Sequence, residues 1–94
     1  MKMTDHQKRI LKSMINEIQN YLDGKNEDFY GLVGRLEGAL DAADIKNDPL
    51  INQWYDFWTP LEIRRSIEGN DVNKQKAINE LIKMKLFLLN ISQY

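Results

Sequence analysis

The chain has 94 residues, of which 43% are hydrophobic and 29% charged, and its formal net charge is −1. This length suits one domain with one core, the composition excludes an intrinsically disordered chain, and the lack of cysteine excludes a disulfide framework. No apolar run approaches the roughly 20 residues that span a bilayer, and the first residues lack the apolar segment of a secretory signal. We therefore predict a single domain over residues 1–94, located in the cytoplasm and not associated with a membrane.

The first predicted helix runs from Thr4 to Leu22. Apolar side chains recur along it at helical spacing, namely at Leu11, Met14, Ile15, Ile18, Tyr21 and Leu22. Threonine is a preferred residue at a helix amino terminus and glycine at a carboxyl terminus, so Thr4 and Gly24 mark the two ends.

The second predicted helix runs from about Glu27 to Asp44, with Asn26 as its cap. Its apolar stripe comprises Phe29, Leu32, Val33, Leu36, Leu40 and Ala43. Three glycines, at positions 31, 34 and 38, lie inside the helix, where each costs about 0.5–1 kcal/mol relative to alanine. We therefore expect packing to hold the helix, or another segment of backbone to come close to the glycines.

The third predicted helix begins after the loop at residues 46–48, with Asp48 as its cap and Pro49 at the first helical position. Four apolar residues fall on one stripe, Trp54, Phe57, Trp58 and Leu61. Aromatic stripes at helical spacing usually pack inward, so we assign these residues to the core. Tyr55 and Asp56 project away from that stripe.

The sequence Thr59-Pro60-Leu61-Glu62 allows two interpretations of the third helix. Either Pro60 kinks a continuous helix, or Thr59 caps a new helix in a capping box with Glu62. We favour a break or sharp bend at Thr59.

The closing helix is predicted from Asp71 to about Asn90. One stripe comprises Ile78, Leu81, Ile82 and Leu89, and further apolar residues lie more widely around the helix at Met84, Leu86, Phe87, Leu88 and Ile91. We expect its last two turns to be buried on several sides, as a central element or at a dimer contact. No alternating strand pattern is present, so the predicted fold is an all-α, compact bundle of four to five helices with short turns.

Charge is distributed unevenly along the chain. Residues 23–62 carry three basic and nine acidic side chains, whereas residues 1–22 have a net charge of +2 and residues 63–94 of +3. An acidic middle argues against a dedicated nucleic-acid binder and is compatible with a basic protein partner.

One face of the second helix concentrates this acidity. Tyr30, Gly34, Glu37, Asp41 and Asp44 share that face. These residues can form an ordinary solvent-exposed helix surface without a specific function, or an acidic strip that binds a basic partner. If the second and third helices pack as an antiparallel pair, the strip extends to Asp48, Tyr55 and Asp56.

No residues form a recognisable catalytic or metal-binding pattern, so we predict no catalytic residue, no metal ligand and no cofactor. His6 is the one histidine, and a lone histidine beside Asp5 is typical of an exposed helix start. The carboxyl-terminal third is basic, with Arg64, Arg65, Lys74, Lys76, Lys83 and Lys85. These residues suit either a solvated face or a weak nucleic-acid or phospholipid contact, but no aromatic residue is interleaved for base stacking.

Three segments together resemble a known class of proteins. The first helix ends in Tyr21-Leu22-Asp23-Gly24, the second carries Leu-Glu-Gly-Ala-Leu-Asp-Ala at residues 36–42, and the Trp-rich segment at residues 54–62 ends in Leu-Glu. Over roughly residues 10–68 the chain is similar to small all-helical bacterial proteins encoded beside polymorphic toxins, including immunity proteins of contact-dependent growth inhibition systems. The resemblance implies a non-enzymatic antidote that binds a toxin domain, often a nuclease, inside the cell.

The expected function is therefore an immunity protein that neutralises a cognate, basic toxin domain. The expected contact residues are Tyr30, Glu37, Asp41, Asp44, Asp48, Tyr55 and Asp56. The alternative is a small helical nucleic-acid-binding regulator that uses the basic carboxyl-terminal third. The apolar carboxyl-terminal helix also leaves a homodimer open.

Overall fold

The computed structural model describes residues 2–93, so residues 1 and 94 of the predicted domain lie outside the described part. Four helices are present there: α1 (Asp5–Leu22), α2 (Phe29–Ala42), α3 (Asp48–Glu68) and α4 (Lys74–Ile91). Each helix packs against two others, in the cyclic order α1, α2, α3, α4. The connections have five or six residues, so consecutive helices run antiparallel. The predicted all-α bundle is confirmed, and within residues 2–93 no helix combines the length and apolarity that crossing a bilayer requires.

Each helix contributes one apolar stripe to a common core. All six predicted stripe positions of the second helix are buried, as are Trp54, Trp58 and Leu61 of α3. Trp54 is fully buried and meets the ring of Phe87 in α4 edge-on, with the ring centres 6.0 Å apart. Phe57 is half-buried and stacks on the same Phe87 ring at 5.0 Å. The aromatic stripe of α3 therefore faces the core, as the sequence predicted, and two of its rings pack against α4.

The amino terminus of α1 is capped as predicted, and its first turn also caps the carboxyl-terminal end of α2. Thr4 and Gln7 form a reciprocal capping box, with the Thr4 hydroxyl accepting from the Gln7 N–H at 3.1 Å. The Gln7 amide Nε2 donates to the carbonyl of Ala43 at 3.0 Å, and His6 Nε2 lies 3.2 Å from the carbonyl of Ala42. The first turn of α1 thus binds carbonyls at the end of α2, which no intrahelical donor can reach.

The caps of α2 and α3 each differ from the prediction. Asp28, not Asn26, caps α2 and accepts from the Gly31 N–H at 2.9 Å. The Asn26 side chain instead accepts from the Asp28 N–H, so it organises the turn before the cap. At α3 the cap is Asn47 rather than Asp48, because Asn47 accepts from the N–H of the third helical residue and Asp48 is already helical.

The Asp28 cap predicts a specific loss of stability in acid. The Gly31 N–H lowers the pKa of the Asp28 carboxyl below its ordinary value of 3.8, and Asn70 and Arg35 act in the same direction. The ionised Asp28 carboxylate stabilises the folded state because its pKa is lower there than in the unfolded chain. This stabilisation is present at pH values above the ordinary pKa and is lost as the pH falls through the folded-state pKa. In urea titrations between about pH 5 and pH 2.5, Asp28→Asn should lose less stability than the natural chain, since asparagine caps without ionising.

The control for that comparison is Asp71→Asn, which makes the same change in net charge in the exposed α3–α4 connection. If Asp28→Asn and the natural chain lost stability in parallel across this pH range, the ionised cap would have no part in acid unfolding.

The sequence favoured a break or sharp bend at Thr59. The third helix is continuous through Pro60, so the break is wrong. Pro60 has no N–H and is exposed on the outer side of the helix, where the carbonyl it leaves without a helical partner can bond to water. On the inner side, Trp58 is buried two residues before the proline and Leu61 one residue after it. Burial on both sides of Pro60 keeps the two segments in one helix, and Glu62 pairs with Arg65 instead of forming a capping box.

The buried stripe of α4 also differs from the prediction. The helix begins at Lys74 with Asn73 as its cap, and its buried residues are Ala77, Leu81, Met84, Phe87, Leu88 and Ile91. Ile82 and Leu89 of the predicted stripe are exposed, Leu86 is 59% exposed, and Ile78 is half-buried. Within the described residues α4 packs only against α1 and α3, so one side of it is covered and it is not the central element that was expected. The alternative expectation, a dimer contact, stays a prediction.

Candidate functional site

The groove between α2 and α3 brings together residues that lie far apart in the sequence. Trp58 Nε1 donates to the backbone carbonyl of Val33 at 2.8 Å, which fixes the side chains of α3 against the backbone of α2. Tyr55, almost one turn earlier, packs edge-on against Trp58 with the ring centres 5.6 Å apart. Its hydroxyl donates to Glu37 Oε2 at 3.4 Å. The antiparallel packing of α2 and α3, on which the extension of the acidic strip to Tyr55 was conditional, is present at these residues.

Tyr55 stands in an acidic environment. Burial raises the pKa of the Tyr55 phenol above its ordinary value, and the charges of Glu37 and Asp41 raise it further. The phenol therefore keeps its proton well into the alkaline range and remains a donor to Glu37. We call Tyr55, Glu37 and Asp41 the Tyr55 cluster, a half-buried aromatic ring flanked by two carboxylates.

The other predicted acidic residues surround the Tyr55 cluster less closely. Asp44 is exposed just beyond α2, in the left-handed backbone region with φ of 52°, and pairs with Lys46 at 3.0 Å. Asp48 and Asp56 are exposed on α3. Asp56 lies one residue beyond Tyr55, about 100° further around the helix and away from α2. Within residues 2–93 no ion pair involves Asp41, Asp48 or Asp56.

Tyr30 lies at the other end of the groove, beside a cation that the sequence did not place there. The guanidinium carbon of Arg65 is 4.3 Å from the centre of the Tyr30 ring, and Arg65 Nη1 donates to the Tyr30 carbonyl at 3.1 Å. Arg65 Nε is also 3.0 Å from the carboxylate of Glu62. The predicted acidic strip from Tyr30 to Asp44 is therefore interrupted, and its acidic part begins at Glu37.

The sequence assigned Arg65 to the basic carboxyl-terminal third and did not place it at Tyr30, although its spacing indicates that position. Arg65 follows Leu61 by four residues and so continues the stripe of Trp58 and Leu61 towards α2. A charged residue at the end of a buried stripe has to reach a partner, and here the partners are an aromatic ring, a carbonyl and Glu62.

Gly34 provides the space for Arg65. A Cβ atom at position 34 would lie 2.7 Å from Arg65 Nη1, which is closer than real Cβ contacts. The close approach expected at the glycines is therefore made by a side chain at this position and not by a backbone segment. Gly38, one turn along, has no atom within 4 Å of an added Cβ.

These two glycines give a matched pair of predictions. Gly38→Ala should raise the free energy of unfolding by about 0.5–1 kcal/mol, because alanine is the better helix former and meets nothing. Gly34→Ala should raise the free energy of unfolding by less than Gly38→Ala does, or lower it, because Arg65 has to leave its position over Tyr30. Urea titrations of both variants measure the difference, and equal gains would show that Arg65 does not depend on the glycine.

The basic carboxyl-terminal third does not form one surface. Arg64 donates to Glu80 at 2.6 Å and to Glu68 at 3.0 Å, and these bonds raise its pKa. The four lysines divide between two flanks of α4, because helical spacing puts residues 76 and 83 on one flank and residues 74 and 85 on the other. Among residues 2–93, no group of three or more histidine, aspartate or glutamate side chains is placed to hold a metal ion.

Comparison of the chain with protein-family models, with curated proteins and with solved structures gave no match. A function for this chain therefore has to be inferred from its own side chains. The strongest local feature is the Tyr55 cluster, together with the exposed carboxylates around it.

Proposed function

We propose that the chain is an immunity protein that binds a basic toxin domain through the acidic part of the α2–α3 surface and thereby blocks the toxin. The observation that carries the proposal is the Tyr55 cluster. It places an aromatic side chain of α3 beside two carboxylates of α2 that form no ion pair within the described residues. Exposed Asp48 enlarges the same acidic area at the start of α3.

The chemistry of this surface suits a basic partner. Glu37 and Asp41 belong to a packed helix, so their carboxylates are held in a fixed register and attract a positively charged surface during encounter. Tyr55 offers an anchor with few rotatable bonds, already positioned by Trp58. A toxin that cleaves nucleic acid carries a basic substrate cleft, which such a surface can occupy in place of the substrate.

Two sequence observations support the same proposal. Residues 23–62 carry six more acidic than basic side chains and include all the carboxylates of this surface. The resemblance of residues 10–68 to immunity proteins implies a toxin as the partner. An antidote of this kind acts where the toxin acts, so the proposal includes a cytoplasmic location and no catalytic activity of its own.

The direct test combines the purified chain with the toxin domain encoded beside it. We expect a stable complex, loss of the toxin's activity in that complex, and protection of cells that express both proteins from growth arrest. Absence of both complex and protection would refute the proposal.

Charge reversal provides the residue-level prediction. The variant Glu37→Lys/Asp41→Lys should associate with the toxin about tenfold more slowly at low ionic strength. The difference should shrink as salt is added, because salt screens exposed charges. The matched control is Glu27→Lys/Asp71→Lys, which changes the net charge equally at exposed connections near the start of α2 and the end of α3.

Stopped-flow association rates and circular dichroism of each variant separate binding from folding. If the control variant slowed association as much as Glu37→Lys/Asp41→Lys, only the net charge would matter and the proposed surface would be wrong.

The alternative, a nucleic-acid-binding regulator, would use the lysines of α4. Arg64 and Arg65 form ion pairs with glutamates of the same chain, and the lysines lie on two flanks of α4. The positive charge is therefore not concentrated on one face, as phosphate binding would favour. A duplex titration at low salt tests it, since a phosphate-binding surface should give binding that weakens steeply as salt is added.

A further inference from the structure

The outer face of α4 carries a second apolar stripe, separate from the one that faces the core. Ile82 is 40%, Leu86 59% and Leu89 39% exposed. They fall four and three residues apart, and the same alternation continues towards the start of the helix through Asn79 and Gln75. We call the stripe Gln75, Asn79, Ile82, Leu86 and Leu89 the outer seam.

The spacing of the outer seam is that of a coiled-coil contact. Residues that alternate by four and three positions form a narrow stripe that a facing helix can cover, with a polar residue such as Asn79 able to fix the register. Because α4 packs only against α1 and α3 on its other side, no helix of the described part covers the outer seam.

The flanks of the outer seam are basic. Lys83 borders it on one side, together with Lys76 a heptad earlier, and Lys85 borders it on the other. The one acidic residue of α4, Glu80, points towards α3 and is bound to Arg64 at 2.6 Å. Nothing on α4 therefore offsets the lysines beside the seam.

The adjoining helix carries charged residues of both signs on the flank beside the seam. Lys85 donates to Gln19 of α1 at 2.6 Å, so the flank of α1 that carries Gln19 faces the seam. Exposed Lys12 lies two helical turns before Gln19 on that flank, and exposed Asp23, which accepts from Gln19 Nε2 at 2.9 Å, lies one turn after it, so the positive charge beside the seam comes from the lysines of α4. A ligand helix on the seam would meet lysines along both of its edges.

We propose that the outer seam is a docking site for an acidic amphipathic helix of another protein. Its apolar residues would pack on Ile82, Leu86 and Leu89, and glutamate or aspartate at the flanking positions would pair with Lys83 and Lys85. This site is distinct from the proposed toxin surface. It lies on α4, which has no contact with α2, so both partners can bind at once.

Two other occupants fit the outer seam less well. A second copy of this chain would bring its own lysines against Lys83 and Lys85, which is unfavourable at the flanking positions of a coiled coil. A membrane surface favours a wide apolar face with aromatic residues, whereas the exposed apolar part of this stripe is a single line of three aliphatic residues with polar Asn79 in the same line.

The test uses a synthetic helical peptide matched in length to α4, with leucine at the seam positions and glutamate at the flanking positions. Fluorescence anisotropy of the labelled peptide against the full chain should show saturable binding, weakened by salt. Ile82→Ser/Leu86→Ser should weaken it by more than about tenfold, because two aliphatic contacts are lost. Ile63→Ser/Ile67→Ser, which alters two exposed isoleucines of α3, should leave binding unchanged.

The variant Lys83→Glu/Lys85→Glu gives an independent readout. It should reject the glutamate peptide and bind a peptide with lysine at the flanking positions. The proposal is overturned if the peptide does not bind, or if a scrambled peptide of equal charge binds as well. It is also overturned if the protein itself forms a dimer that Ile82→Ser/Leu86→Ser dissociates, or if anionic vesicles bind the seam and the peptide does not.

Discussion

Replacing Trp58 with alanine should lower the free energy of unfolding by about 3–5 kcal/mol. The indole is almost fully buried between α2 and the rest of the core, and its N–H donates to the Val33 carbonyl at 2.8 Å. Truncation would leave a cavity and remove the side chain that fixes α3 against the backbone of α2. For a domain of this size, such a loss is a large part of the total stability.

Trp58→Phe separates the hydrogen bond from the packing. It keeps an aromatic ring beside Tyr55 and removes the N–H donor, so it should lose only about 1–2 kcal/mol. Urea titrations followed by far-ultraviolet circular dichroism measure both variants without relying on tryptophan fluorescence. Equal losses for the two variants would mean that the hydrogen bond, and not the volume of the ring, dominates at this position.

Replacing Pro60 with alanine should raise the free energy of unfolding by about 2 kcal/mol. Proline inside a helix costs about 3 kcal/mol relative to alanine, because it removes a backbone donor and crowds the preceding turn. Part of that gain is offset because alanine gives the unfolded chain more freedom, by about 0.4–1 kcal/mol. Pro60 is exposed, so the substitution leaves no cavity.

Thr59→Ala is the matched control, since Thr59 is the exposed neighbour of Pro60 in the same helix. In a continuous helix it should change stability by no more than about 0.5 kcal/mol. A helix that began anew at Thr59 would give the opposite pattern, with Thr59→Ala losing about 1 kcal/mol through the lost cap and Pro60→Ala gaining little.

Apolar periodicity was sufficient to predict the helical bundle and the inward stripes of the first three helices, and the preference of threonine for helix amino termini predicted the cap of α1 at Thr4. The caps of α2 and α3 could not be assigned with the same accuracy, because several neighbouring residues, such as Asn26 and Asp28, can each accept a backbone N–H. Pro60 was misjudged because local preference favours a break, whereas burial of Trp58 and Leu61 on either side of it favours continuity.

The side of α4 that faces the core could not be predicted from the sequence. With apolar residues around most of its circumference, periodicity alone cannot say which side faces the core, and that choice depends on where α1 and α3 lie. For the candidate site, helical spacing placed Glu37 and Asp41 on one face, and antiparallel packing brought Tyr55 to them. The position of Arg65 over Tyr30 depended on Gly34 and on the register of α3 against α2, which no single helix specifies.

The order in which the helices pack has a kinetic consequence. Three of the four helix pairs join neighbours in the chain across connections of five or six residues, and only the pairing of α1 with α4 joins distant segments. Closing short loops costs little entropy, and helical bundles with such local contacts fold in roughly microseconds to milliseconds. The α2–α3 surface forms between two adjacent helices, so it can assemble early, before the two ends of the chain meet. For a protein proposed to meet an incoming toxin, rapid folding shortens the interval after synthesis in which the cell is unprotected.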